Sequence, residues 1–208
     1  MLTTKDLSFA YPQGAAFSFP NLNVSEGQSL LVLGKSGTGK TTLLHLLAGL
    51  MNPVDGLVDI AGTNLVGLNG SKRDKFRGEN IGIVFQSAQF VRSISVFENL
   101  SLARSLAGLS TDNKLVESLL NELGIAHRMR AKPSDLSIGE RQRASIARAL
   151  VTNPKVVLAD EPTSALDDEN AALVANLLER TVTGHGAALI VVTHDQRLKN
   201  RFQNSITL

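Results

Sequence analysis

The stretch SLLVLGKSGTGKTTLLHLLAGL, residues 29–50, sets a run of β-prone apolar residues, a glycine-rich turn and an apolar helical pattern in direct succession. Its centre, Gly34 to Thr41, fits G-x-x-x-x-G-K-[ST] in the context that gives this spacing its meaning, after a strand and before a helix. Gly34, Gly37 and Gly39 let the backbone curl until successive N–H groups, those of Lys35, Ser36 and Thr38 among them, face one phosphate. The helix start, running through Thr42, adds its partial positive charge. Lys40 has the reach for β and γ phosphates, and the Thr41 hydroxyl can bind Mg²⁺. The plain alternative is a glycine-rich turn beside a solvated lysine. Strand, glycines, Lys-Thr pair and helix in one register weigh against it.

Three further β-rich runs end at a polar position: IGIVFQ at 81–86, KVVLADE at 155–161 and ALIVVTH at 188–194. Helical patterns alternate with them. In KLVESLLNELG, Leu115, Val116, Leu119, Leu120 and Leu123 share one helical face ahead of Gly124. ENAALVANLLERTVTG repeats the scheme with Leu173, Val174, Leu177 and Leu178. Apolar strands alternating with amphipathic helices predict an α/β chain with a mainly parallel sheet covered on both faces. Ligands gather at the C-terminal ends of such strands, so Gly34, Gln86, Asp160, Glu161 and His194 are expected to converge. Residues 1–25, broken at YPQG and FPN, predict a small antiparallel β piece leading into the main sheet. Residues 87–150 contain no convincing strand and predict a helical insertion, while AGTNLVGLNGSKRDKFRGEN predicts a flexible surface stretch.

Composition sets bounds without naming a ligand. The chain has 208 residues, 43% of them hydrophobic, enough for the core of one domain. It has no cysteine, which excludes disulfides and thiolate metal sites and suits a reducing compartment. The N-terminal residues lack a signal-peptide pattern, and no run approaches the roughly 18 apolar residues of a membrane span, so any membrane role is expected to come through a partner. A net charge of +2 with scattered basic residues gives no reason to expect nucleic acid.

Two other stretches carry chemistry. VVLADEPT ends an apolar strand with adjacent carboxylates that leave it in different directions. Asp160 can then hold a Mg²⁺ shell while Glu161 orients or deprotonates an attacking water. In LSIGER, Ser137 and Glu140 have the spacing of a capping box at a helix start. Gly139 there supplies no cap and costs roughly 1 kcal/mol against alanine, so something is expected to approach its backbone closely.

LSIGERQR just upstream of VVLADEPT, with VFQ before, SALD after and VVTHD later, resembles the nucleotide-binding subunit of an ABC transporter over nearly the whole chain. The resemblance is strongest to the lipoprotein-release and macrolide-export type. It implies a P-loop NTPase of the ABC ATPase fold in a single domain, 1–208. Within it, 1–86 and 151–208 would form a RecA-like core with an N-terminal β subdomain, and 87–150 a helical subdomain carrying LSIGER. It also implies ATP and Mg²⁺ as ligands and hydrolysis of the ATP. By resemblance, Glu161, His194 and Gln86 would be catalytic, with His194 on the γ-phosphate and Gln86 sensing metal and water. Thr41, Gln86 and Asp160 would attend the metal. Tyr11 would stack on adenine.

A second copy, or a paralogous subunit, would pair head to tail. Ser137, Gly139 and Glu140 of one copy would then close over the ATP of the other, with Asp167 in the crossing loop. Ile138 departs from the usual L-S-G-G-Q, where a glycine stands. An integral membrane permease would dock near Gln86–Phe97, with Phe90 and Val91 at its groove and Val96 and Phe97 in the core. The chain would then sit at the cytoplasmic side of the inner membrane. Some relatives of this type transmit force across the membrane, to regulate cell-wall hydrolases, without moving cargo. Long coiled-coil insertions or tandem cassettes, which mark the DNA- and ribosome-acting classes, are absent, and a P-loop kinase or GTPase gives no reason for LSIGER and VVTHD. His45, His127 and His185 match no motif position and are expected to be structural or surface residues.

Overall fold

The computed structural model describes residues 2–164, 166–199 and 201–208; Ala165 of the SALD run lies outside them. In chain order the strands and helices begin with β1 (Leu2–Ala10), β2 (Ala16–Ser18), β3 (Asn23–Val24), β4 (Ser29–Leu33) and α1 (Lys40–Leu47). Then follow β5 (Asp55–Ile60), β6 (Thr63–Asn64), α2 (Gly70–Asn80), β7 (Ile81–Val84), α3 (Val96–Leu106), α4 (Asn113–Glu122) and α5 (Ile138–Leu150). The chain closes with β8 (Val156–Asp160), α6 (Asp168–Gly184), β9 (Ala188–Thr193) and β10 (Ser205–Thr207).

Five strands form a parallel sheet in the order β10-β4-β9-β8-β7. Every residue of β4, β8 and β9 is buried. The period-2 alternation of side chains explains how both faces are covered. Leu31, Leu33, Val157, Ala159 and Val191 join the core under α3 to α6, while Leu30, Val32, Leu158, Ile190 and Val192 join the core shared with α1 and the second sheet. That second sheet is antiparallel, in the order β2-β1-β5-β6 with β3 also on β1. β1 pairs Phe9 with Phe17 on one side and Leu2 with Ile60 on the other. The antiparallel piece expected of residues 1–25 is therefore present, and it recruits β5 and β6 as well.

Residues 96–150 carry α3, α4 and α5. Val116, Leu119 and Leu120 of α4 are buried with Leu123, and Gly124 ends the helix at φ +67°. β7 meets α5 almost backbone to backbone, since a Cβ at Gly82 would stand 2.3 Å from the Ala149 carbonyl oxygen. That contact sets how closely α5 can lie on the sheet.

Two expectations are corrected. The stretch 61–80 is not a loop throughout, because Gly70–Asn80 is helical. With no fully buried residue, α2 shows no apolar periodicity; Phe76 packs part-buried against the core, and the Asn69 side-chain cap and the pairs Asp74–Arg77 (2.7 Å) and Lys75–Glu79 (3.8 Å) add to it. On α6 the buried stripe is Ala171, Val174, Ala175, Leu178 and Val182, whereas Leu173 is 58% exposed. Small alanines let the helix lie close, and the stripe turns away from Leu173. No helix among the described residues is long and apolar enough to cross a membrane.

Candidate functional site

Because β4, β8 and β9 run parallel, their C-terminal ends share one edge, and a cavity of about 410 Å³ opens there. Ser36, Gly37, Gly39, Lys40, Thr41 and Thr42 line one side; Gln86, Glu161 and His194 line the other. Gly37 and Gly39 have φ of +85° and +92°, values that favour glycine. Gly34 is needed for space, since a Cβ there would lie 2.5 Å from Thr38 Oγ1. Gly39 is the N-cap of α1 and offers no side-chain cap, so the first N–H groups of the helix remain for an anion. Lys40, buried, donates from Nζ to the carbonyls of Gly34 and Lys35, both at 2.9 Å. A phosphate arriving here competes with carbonyl dipoles for this ammonium and offers it the stronger, charge-assisted bond. Lys35 and Thr38 complete the loop, the Thr38 hydroxyl donating to the Lys35 carbonyl at 3.0 Å.

The two carboxylates do divide. Asp160 accepts from the Thr41 hydroxyl at 3.2 Å through Oδ2. Burial pushes its carboxyl up from the usual range, and the Thr41 hydrogen bond pulls the other way. A buried carboxylate whose charge is poorly solvated, beside a hydroxyl at a helix start, is a hard-oxygen pair suited to Mg²⁺. Glu161 sits at φ +45°, a left-handed conformation costly for a non-glycine residue, with its N–H donating to the Val192 carbonyl at 2.9 Å. Its Oε2 accepts from Thr193 Oγ1 at 2.7 Å. Its Oε1 accepts from the His194 backbone at 3.1 Å and lies 2.8 Å from His194 Nδ1, which puts a proton on that nitrogen. Lys40 Nζ is 3.8 Å from the same oxygen. Gln86, exposed, reaches Ser164 Oγ at 3.5 Å from the far wall. Sequence reasoning missed Thr193, although it stands in VVTHD one residue before His194.

Tyr11 stands beside the cavity, next to Thr42, and not in its lining. The aromatic ring in the cavity wall is that of Phe17, which packs on the bare Cα of Gly39; a Cβ there would be 2.7 Å from its Cδ1. Tyr11 meets Phe17 edge to face at 6.3 Å and Phe9 at 4.8 Å, and its hydroxyl lies 3.0 Å from Thr42 Oγ1. Phe17 was invisible as a site residue because its place follows from the β1–β2 pairing and not from any spacing.

Ser137, Gly139, Glu140 and Asp167 do not line this cavity. The capping box at Ser137 and Glu140 is formed, with Glu140 N donating to Ser137 Oγ at 3.2 Å and Ser137 N donating to Glu140 Oε2 at 2.8 Å. Arg128 Nε donates to the other Glu140 oxygen at 2.7 Å and, with the Ser137 backbone, holds that carboxyl down from 4.5 to about 2. Glu140 is therefore corrected from a ligand contact to an inward-facing group, with His127 at 3.3 Å as a further neighbour. A Cβ on Gly139 would meet nothing closer than an Arg143 nitrogen at 3.7 Å, so the open space above it faces out of the chain. Asp167 caps α6, accepting from Asn170 N at 2.9 Å.

The ABC transporter family model matches residues 18–164. The chain is 37% identical over 214 residues to the lipoprotein-releasing system ATP-binding protein LolD of Geobacter metallireducens, a match spanning 100% of this chain and 95% of that protein. It is 36% identical over 180 residues to the ABC transporter ATP-binding protein YtrE of Bacillus subtilis, covering 86% of this chain and 78% of that one. Among solved structures, it is similar to the ATP-binding cassette MJ0796, in a dimeric post-hydrolysis state bound to ADP and Pi. The TM-score is 0.88 at 30% identity, over 100% of this chain and 94% of that one. Fold, glycine loop, paired carboxylates and these likenesses agree: the chain belongs to the ABC transporter family of ATP-binding proteins.

Proposed function

We propose that the chain is the ATP-hydrolysing subunit of a LolD-type export or extraction system, in which two copies close head to tail around two ATP molecules and drive a membrane permease. The observation that carries this is Glu161, a carboxylate at a strand end held by Thr193 and His194, 3.8 Å from Lys40 and next in sequence to the Asp160–Thr41 pair. The P-loop N–H groups and Lys40 bind the phosphates, and Phe17 with Tyr11 supports the base. Thr41 and Asp160 would hold Mg²⁺, which when bound neutralises phosphate charge. Glu161 orients water toward the γ-phosphorus and takes its proton, while His194, donating from Nδ1, keeps that carboxylate in place. Ser137 and the open backbone at Gly139 of the second copy complete the site, which explains a glycine that nothing in its own chain approaches.

The permease side is supported by a groove of about 430 Å³ beside the Gln86 loop, lined by Leu50, Phe85, Gln89, Ala103, Leu106 and Ala107. Leu106 is 79% exposed on it. Phe90, by contrast, is partly buried against the core under the Arg148 guanidinium, 4.8 Å from its ring centre, so Leu106 is the better anchor for a short permease helix. Docked there, on the cytoplasmic face of a membrane, a permease segment moves when the Gln86 loop moves.

The shared site is tested by mixing subunits. Lys40→Ala lacks the phosphate cation and Ser137→Arg blocks the opposing surface. A mixed dimer places both defects in one composite site and leaves the other intact. Fluorescence transfer between labelled subunits is expected to show ATP-dependent closure that neither variant shows alone; no recovery at any mixing ratio counts against a site built by two chains.

A further inference from the structure

Behind the Glu161 carboxylate runs a circuit of hydrogen bonds made by residues outside the lining of the nucleotide cavity. The hydroxyl of Thr193, the last residue of β9, donates to Glu161 Oε2 at 2.7 Å and accepts from the Asp195 backbone N–H at 3.0 Å. Asp195 Oδ2 in turn accepts from the Thr163 hydroxyl at 3.2 Å. Thr163 lies two residues past Glu161, so chain and hydrogen bonds together close the circuit and join the end of β8 to the end of β9.

The protons give the circuit one sense. A threonine hydroxyl carries a single proton, and at Thr193 the Asp195 N–H takes an oxygen lone pair while the proton goes to Oε2. Both threonines are 0% exposed, so solvent does not replace either bond. Thr193 is also the single polar residue of β9, at a position where valine has nearly the same shape and no buried polar atom to satisfy. A hydroxyl there needs a use. Glu161 supplies one, because its left-handed backbone at φ +45° persists only where surrounding contacts over-determine it. Its N–H is fixed by the Val192 carbonyl and its side chain by Thr193 and His194. At the other end of the circuit, the Thr163 carbonyl accepts from Leu166 N at 3.1 Å, one residue before Asp167 caps α6.

We infer that Thr193 and Thr163 are positioning residues for hydrolysis. Thr193 sets the Glu161 carboxylate, and Thr163, through Asp195, makes that setting depend on the turn leading to Asp167. The inference rests on the ATPase reading above and adds to it two residues that do not line the nucleotide cavity. In the proposed head-to-tail pair the Asp167 loop crosses to the second copy, so pairing acts on the base through the protein as well as through the nucleotide.

The test compares valine, which keeps the shape and removes the hydroxyl, with serine, which keeps the hydroxyl, in the full-length chain. Steady-state hydrolysis and Mg-ATP titration are measured on each variant. Misplacing a catalytic group by about 1 Å costs on the order of 10²-fold in rate, so Thr193→Val is expected to lower kcat about 10- to 100-fold. ATP affinity should stay within about threefold, because the lost contact acts on the base and not on the phosphates. Thr193→Ser is expected to regain most of the rate. Thr163→Val, one hydrogen bond farther away, is expected to lower kcat about three- to tenfold with affinity again preserved. In the Glu161→Gln background, where the base is already lost, neither valine should alter ATP-dependent dimer formation.

An unchanged kcat in Thr193→Val overturns the setting of the base, and an unchanged kcat in Thr163→Val overturns its link to the Asp167 turn. Equal losses of kcat and ATP affinity, no recovery with serine, or loss of the dimer in the Glu161→Gln background would mark threonines that only hold the fold, and each overturns the inference. If the wild-type chain does not hydrolyse ATP, the reading beneath it fails instead, so the two failures are distinguishable.

Discussion

Removing the Phe17 ring tests whether the base platform lies where the geometry puts it. Base–aromatic stacking is worth about 1–3 kcal/mol by alanine substitution. Phe17 is stacked on Phe19 at 6.1 Å with 14° between the planes and is met edge-on by Tyr11, so on truncation Tyr11 can lean into the vacated space and recover part of the contact. The expected loss for Phe17→Ala is therefore the lower part of the range, about 1–2 kcal/mol, or roughly 5- to 30-fold in ATP affinity. Tyr11→Phe keeps the ring and loses the Thr42 contact. Its ATP affinity should stay within about threefold, while fold stability falls by about 0.5–1.5 kcal/mol. Calorimetric titration with Mg-ATP measures both, and inorganic tripolyphosphate, which has no base, is the control. Unchanged ATP affinity in Phe17→Ala would refute the platform. An equal fall for tripolyphosphate would show that Phe17 acts by shaping Gly39 and the loop.

Two other expectations concern α5 and the groove. Glu140 has a folded pKa depressed from 4.5 to about 2, so its contribution to the α5 N-terminus is complete above pH 4.5 and disappears as pH falls through about 2. In Arg128→Met its carboxyl, followed by NMR, should titrate closer to 4.5, at a stability cost below about 1 kcal/mol because the Arg128 side chain is 42% exposed; titration still near 2 would assign the shift to the cap alone. Leu106→Glu should leave turnover and thermal stability nearly unchanged while lowering recovery with co-expressed permease in membranes; undiminished recovery would place docking elsewhere.

What could be read from the sequence was whatever a local pattern dictates. The tight turn of Gly34 to Thr41 was legible because strand, glycines and helix are contiguous, and the Ser137–Glu140 box forms because both partners lie within one helical turn. The ends of β7, β8 and β9 converge because a parallel sheet leaves no other arrangement. Phe17 was not legible, since only the β1–β2 pairing and the missing Cβ of Gly39 bring it to the cavity. Neither was α2, a helix with no apolar periodicity, which lays the single ring of Phe76 on the core and carries a side-chain cap and charge pairs. The inward turn of Glu140 required knowing that Arg128, twelve residues earlier, stands beside it.

The central claim is that Glu161 drives hydrolysis inside a site closed by two copies, and Glu161→Gln tests it most directly. The amide keeps the side-chain shape and, with its oxygen in the place of Oε2, can accept from Thr193 and from the His194 backbone, so binding should survive while proton abstraction does not. With Mg-ATP, light scattering after size exclusion should show the variant as a stable dimer with turnover nearly abolished. A monomer that hydrolyses ATP at the wild-type rate would contradict both halves of the claim.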